Sequence, residues 1–166
     1  MFGAYFPDIT FGSGIKTSSQ YYELLAPYAN AGISIFIPCI RHWTHNYYSS
    51  KLRSNISPQL HTGFQSFVEA SNRLSVEVHP WSTCFLEDNS SSILIENPEF
   101  CAVSETGAPT TRLCRTRPEV QQYEIEILHE IINTYQVHGI VLDYIRFNEF
   151  PRDCYCDFCV SKFVEE

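Results

Sequence analysis

Basic residues are scarce in this 166-residue sequence: 11 Lys and Arg stand against 19 Asp and Glu, a formal net charge of −8. A nucleic-acid binder needs a basic footprint, so the balance argues against that class. Long apolar runs are missing as well. No stretch approaches about 18 apolar residues, so no segment reads as a membrane span. The opening MFGAYFPDITFGSG lacks the charged region and long apolar stretch of a secretion signal. A reducing, cytoplasmic setting is the default expectation. The phosphate-cradling G-x-G-x-x-G and Walker loops are absent, so nucleotide binding has no support. A G-x-S-x-G nucleophile elbow and an H-E-x-x-H metal motif are absent too.

What is present is the material of one folded domain spanning 1–166. Apolar residues make up 44% and charged residues 18%, and ten Tyr and twelve Phe supply bulky core candidates. Four β-rich apolar runs stand out: GAYFPDITF (3–11), GISIFIPCI (32–40), LSVEVHPW (74–81) and GIVLDYIRF (139–147). Helix-period segments lie between them. Thr17 and Gln20 have capping-box spacing ahead of Tyr21, Leu24, Leu25 and Tyr28, with Pro27 expected to kink or shorten that helix. Residues 62–73 predict a second helix with Phe64, Phe67 and Val68 inward. Thr116 and Glu119 form another capping-box pattern, with Pro118 in the first turn and Val120, Tyr123, Ile127, Leu128, Ile131 and Tyr135 as the apolar stripe. A short helix is expected over 157–165.

Strands alternating with helices imply a parallel sheet with right-handed crossovers. Two connections, 41–61 and 82–115, follow the second and third strands and are long for an α/β fold. They lie on the carboxyl side of the sheet, where such folds place ligands. The strand pattern puts Val141, Asp143 and Ile145 on one face and Glu77, His79 and Trp81 on another. Arg41 and His42 close the second strand, and Asp8 sits near the end of the first. Each has a structural alternative: Asp143 could cap a loop or pair with Arg146, and Glu77 could pair with His79. Their convergence towards carboxyl ends of strands makes them candidate site residues. In 42–48 (HWTHNYY) the aromatic rings offer either a stacking platform for sugar rings or rim packing.

There are seven cysteines, an odd number that cannot pair completely within one chain. Cys154, Cys156 and Cys159 form C-x-C-x-x-C, three thiols within six residues. Structural zinc prefers four ligands, and the fourth could be Cys114 or a His; free thiols are the alternative. No other cofactor is expected.

The stretch from Arg117 to Cys159 resembles the glycoside-hydrolase-like TIM-barrel family, which is related in layout to α-amylase-type enzymes. The residues that carry the resemblance are Pro118-Glu119-Val120, Gly139-Ile140, Leu142-Asp143-Tyr144-Ile145-Arg146-Phe147 and the Cys154-Tyr155-Cys156 run with Cys159. SVEVHPW is similar to the family's Glu-x-His-Ala-Trp strand, with Pro80 in place of Ala, and His138 stands where the family has Asp. The resemblance implies an α/β fold, a partial (β/α)8 TIM barrel of about four βα units with parallel strands. A complete barrel needs roughly 250 residues, so the chain reads as the N-terminal half of one, a truncated gene product. Its unpaired edge strands would favour self-association. The resemblance further implies a carbohydrate substrate and glycosidic-bond hydrolysis. Asp143 would be the nucleophile or oxocarbenium-stabilising carboxylate, with Glu77, His79, Trp81, Arg146, Arg41, His42 and Tyr144 as substrate-binding candidates. Two rival expectations stand beside it: a non-catalytic carbohydrate-binding protein, and a metal-dependent hydrolase built on Glu77, His79 and Asp143.

Overall fold

A computed structural model of the chain describes residues 2–7, 14, 17–42, 45–53, 61–146 and 154–165. Asp8, Trp43 and Phe147 lie outside the described residues. In chain order the elements are β1 (Gly3–Phe6), α1 (Ser18–Asn30), β2 (Ile35–His42), β3 (His45–Asn46), α2 (His61–Arg73), β4 (Glu77–Val78), β5 (Trp81–Thr83) and α3 (Ser92–Glu96). A 3₁₀ turn (Pro98–Phe100) leads into β6 (Cys101–Val103), β7 (Pro109–Leu113), α4 (Pro118–Thr134), β8 (Val141–Asp143) and α5 (Asp157–Glu165). No described helix is long and apolar enough to cross a membrane.

The main sheet runs β1-β2-β5-β8, with β4 also on β2, and all of these pairs are parallel. Neighbours in the sheet follow chain order, as in a barrel wall, and the sheet is open: β1 and β8 are its edges among the described residues. The expected α/β architecture of about four βα units in a partial (β/α)8 barrel is what forms. The third predicted run is broken into β4 and β5 around His79-Pro80 and continues to Thr83, two residues beyond its expected end. The 82–115 connection contains the antiparallel β6–β7 hairpin, which period-2 patterning over so short a span did not reveal.

Burial alternates cleanly along the third run. Val78, Pro80 and Ser82 are buried, whereas Glu77, His79 and Trp81 are half-buried. The buried set faces the helices. There Phe6, Phe36 and Val78 meet Tyr21 and Leu25 of α1 and Phe64, Phe67 and Val68 of α2. Edge-to-face aromatic contacts run through this core: Phe67 lies 5.5 Å from Phe6, 5.6 Å from Tyr21 and 6.0 Å from Phe36. Aromatic pairs prefer this geometry because the positive ring edge meets a negative face.

The helix starts divide. At α1 the expected capping box forms: the Gln20 N–H donates to Thr17 Oγ1 at 3.2 Å, and the Thr17 N–H to Gln20 Oε1 at 3.1 Å. Pro27 does not end α1. It sits in the last turn on the exposed side, and the buried Tyr21 and Leu25 hold the helix through to Asn30. At α4 the capping box predicted from Thr116 does not form. Arg117 is the N-cap, without a side-chain bond, because the Thr116 hydroxyl is engaged by cysteine sulfurs instead.

One polar network lies inside this frame. The β2–β5 register pairs Cys39 with Trp81 but Arg41 with Ser82, so an irregularity between them shifts Arg41 by one residue. Paired residues share a face, so the shift puts Arg41 on the helix side with Ser82. There the guanidinium is fully buried and forks onto Glu124 of α4 at 2.6 and 2.9 Å, with Glu87 at 3.2 Å. Arg53 joins Glu87 at 3.0 Å and Asn46 at 2.6 Å. Arg41 was a substrate-binding candidate. It is instead a structural residue, enclosed and held by two carboxylates. Glu124→Ala would leave Arg41 buried with half its compensation gone, and a loss of about 3–5 kcal/mol is expected. Urea unfolding reads it; a loss under about 1 kcal/mol would contradict the account.

Candidate functional site at the carboxyl end of the sheet

Asp143 is the last residue of β8, level with Thr83 of β5. Its backbone carbonyl accepts the Cys84 N–H at 2.8 Å, which continues the ladder past the strand. Its side chain is partly open, 29% exposed, and among the described residues its hydrogen bonds fall on one oxygen. Oδ1 accepts from the Tyr144 N–H at 2.7 Å and from Arg146 Nη1 at 3.4 Å. Oδ2 is left as the oxygen that could meet a ligand. A carboxylate held by one shell of donors with one oxygen presented is suited to nucleophilic or electrostatic work on a developing positive centre.

Tyr144 is placed by an unusual backbone. Its φ is +59°, the left-handed region that a bulky residue enters at a cost of about 1–2 kcal/mol. Two cations hold its ring. The Arg112 guanidinium lies 5.1 Å from the ring centroid and that of Arg146 5.3 Å. Arg115 donates to the Ile145 carbonyl at 3.4 Å. The segment after Asp143 is therefore fastened by arginines from β7 and the turn after it. Arg112 and Arg115 escaped the sequence reading because their connection looked like an unstructured loop.

Trp81 faces the same side as Val141, two residue pairs before Asp143. Its ring meets Tyr5 edge-on at 6.0 Å and the His42 imidazole at 5.9 Å. Tyr5 is 55% exposed. These three rings form a half-open aromatic surface on the inner face. Tyr47 and Tyr48, later in the same aromatic run, behave differently: both are buried, and Tyr48 packs edge-on to Tyr135 at 6.3 Å. For those two tyrosines, rim packing is the outcome.

Glu77 and His79 pair with each other, Oε2 to Nε2 at 2.9 Å. They do not join Asp143. Glu77 is level with Ile35, at the start of β2, whereas Asp143 is level with Thr83. Six residues separate Glu77 from Thr83, roughly 20 Å of strand. The pair therefore sits towards the amino end, and the expected convergence at the carboxyl end does not include it. Among the described residues Glu77, His79 and Asp143 do not come together as metal ligands, which removes the basis of the metal-hydrolase expectation. His138, the departure from the family pattern, works at the end of β4: its Nδ1 accepts the Val78 N–H at 3.1 Å, and its backbone N–H donates to the Val78 carbonyl at 2.9 Å.

The cysteine run does gather, with Cys114 as its fourth member. The sulfurs of Cys114, Cys154, Cys156 and Cys159 all lie within 4.8 Å of one another. Cys114 Sγ is 3.4 Å from Cys159 and 3.6 Å from Cys156. The Cys154 thiol hydrogen-bonds to Cys114 and pushes the Cys114 pKa down to about 4. Burial holds the Cys159 thiol up at about 11. No spacing in the sequence named Cys114; the fold brings it in from 40 residues upstream of Cys154.

No family profile and no curated protein matches the sequence. Solved structures do. An α-L-fucosidase isoenzyme 2 from Paenibacillus thiaminolyticus superposes with a TM-score of 0.72 at 18% identity, over 99% of this chain and 26% of that one. The fold is that of part of a TIM barrel. A maltogenic α-amylase from Thermotoga neapolitana matches with a TM-score of 0.63 and 16% identity, over 87% of this chain and 39% of that one. A hypothetical protein from Ruminiclostridium thermocellum matches at 0.65 and 14% identity, over 99% of this chain and 90% of that one. At these identities the likeness is one of fold. The chain spans about a quarter of the fucosidase and two fifths of the amylase.

The Glu77–His79 pair carries its own test. A Cβ on Gly139 would stand 2.8 Å from His79 Nδ1. Gly139→Ala must displace the ring, and a destabilisation of about 1–3 kcal/mol is expected. Combined with His79→Ala, the two changes should cost less than their sum in urea unfolding; strict additivity would show that the ring is not the obstacle.

Proposed function

We propose that this chain supplies the carboxylate side of a glycosidic-bond-hydrolysing site, with Asp143 as the group facing the anomeric carbon. The observation that carries the reading is the setting of Asp143. It ends a barrel strand at the carboxyl edge, is oriented by Tyr144 and Arg146, and presents Oδ2. In a retaining reaction Oδ2 would bond to the anomeric carbon as the glycosidic C–O bond breaks. A second carboxylic acid would deliver the proton to the leaving oxygen. That acid stands about 5–5.5 Å away for retention, or about 6.5–9.5 Å for inversion with water as nucleophile.

Trp81, Tyr5 and His42 are the surface on which a sugar ring would stack, since the apolar face of a pyranose fits an aromatic ring. Tyr144 and Arg146 would border the reacting carbon. The structural neighbours named as fucosidase, amylase and α-galactosidase set the first substrates to try. The same aromatic surface favours a second reading, oligosaccharide binding without turnover.

The two readings separate in one experiment. The full chain and Asp143→Asn are assayed on aryl α-fucoside, α-glucoside and α-galactoside, and titrated with oligosaccharides. Hydrolysis that falls by roughly 10²–10⁴-fold in Asp143→Asn, the scale of a lost catalytic group, is the expected result. Binding that survives Asp143→Asn but is lost in Trp81→Ala, with no turnover in either, would replace hydrolysis by binding.

A further inference from the structure

The C-terminal helix α5 presents a problem of support. It has nine residues, and none of them is buried. Phe163 is 82% exposed. Isolated helices shorter than about 12–15 residues are marginal in water, and α5 has almost no apolar packing to make up the difference. What it does have is at its start. Cys154, Cys156 and Cys159 lead into its first turn and meet Cys114, the residue after β7. The Val103 N–H points to Cys154 Sγ at 3.4 Å, and the Tyr155 N–H donates to the Val103 carbonyl at 2.8 Å.

We propose that Cys114, Cys154, Cys156 and Cys159 bind one Zn²⁺ as a closed tetrathiolate that staples α5 to the β6–β7 hairpin. Four thiolates at the usual Zn–S distance of about 2.3 Å form a tetrahedron with sulfurs about 3.8 Å apart. The 3.4 and 3.6 Å spacings here need only small adjustment. Zn²⁺ has no geometric demand from its d-electrons and accepts such irregularity. The surroundings suit a site of net charge −2. Arg115 and Arg117 follow Cys114 in the chain, and Arg117 reaches over to stack on Phe158 of α5 at 4.9 Å. The Thr116 hydroxyl lies 2.9 Å from Cys159 Sγ and 3.1 Å from Cys114 Sγ, placed to donate to a thiolate, as partners around metal ligands commonly do. Four protein ligands leave no open position, so the ion is structural.

The site bears on the carboxyl end of the sheet without depending on the hydrolase reading. The Cys114 turn carries Arg115, which holds the Ile145 carbonyl, and follows Arg112, which holds the Tyr144 ring. Metal binding at Cys114 therefore fixes the arginines that fasten the segment after Asp143.

The test is metal content and coordination of the full chain, purified under reducing conditions without chelator. One equivalent of zinc is expected in the wild type and in Cys101→Ser, whose thiol lies nearby but outside the four. Cys114→Ser should lose it, and Cys114→His should regain it. Replacement by Co²⁺ should give the visible bands of tetrahedral cobalt and the sulfur charge-transfer band, with a blue shift in Cys114→His as one sulfur becomes nitrogen. Hydrogen exchange should show 154–165 opening when zinc is chelated while α2 and α4 stay protected. A wild type that folds but takes up neither Zn²⁺ nor Co²⁺, one that holds iron instead, or a Cys114→Ser variant with unchanged zinc affinity would overturn the proposal. So would disulfides among the four in the reduced protein's intact mass.

Discussion

The buried pairing of Arg41 with Glu124 is the constraint on which the carboxyl end of the sheet rests. It joins the end of β2 to the middle of α4, residues 83 apart in sequence. Among the described residues, Glu87 and Arg53 extend the network to two charges of each sign. Glu124 also accepts the Phe85 N–H at 2.8 Å, and the Tyr123 hydroxyl donates to Glu87 at 3.2 Å. The loops after β2 and β5 are thereby held to one helix. Such a network adds little net stability over a well-packed apolar alternative, because four charges must first leave water. What it imposes here is geometry. The bonds to Arg41 are met only when the β2 irregularity, α4 and the 85–87 turn stand in register.

With that register set, the two faces of the sheet diverge. The helix side is a closed aromatic core around Phe67. The inner side carries Tyr5, Trp81, Val141 and Asp143, all half-buried or exposed. In a complete barrel that inner side is packed by layers of side chains from strands opposite. In this chain those inner positions carry aromatic and acidic side chains beside Val141.

Much of this was legible in the sequence, and the limits were specific. The four strand runs, the four main helices and the Leu142–Arg146 segment were visible because hydrophobic period and turn chemistry are local. The position of Asp143 at the carboxyl end of its strand was legible for the same reason. The role of Arg41 was not, since a one-residue register shift depends on the neighbouring strand. Glu77 and His79 were placed at the wrong end because the third strand continues to Thr83, past the Trp81 at which the predicted run ended. Glu124 held a readable signal: it shares the α4 stripe with Val120, Ile127 and Ile131, and a carboxylate on a buried stripe needs a cation. Thr116 misled because the same spacing serves either a helix start or a sulfur partner.

The backbone at Tyr144 sets a limit on how this protein could be improved. Its left-handed conformation would suit Gly or Asn better, so consensus-style stabilisation would single the position out. Yet the ring is what Arg112 and Arg146 grip, and the Tyr144 N–H is the shortest bond to Asp143. Gly or Asn would keep that N–H but remove the ring, and Arg146, the other donor to Asp143, would lose the face it rests on. Tolerance to heat and the aim of Asp143 therefore pull against each other at a single residue, and a library selected for thermal resistance alone would drift away from whatever chemistry this edge of the sheet performs.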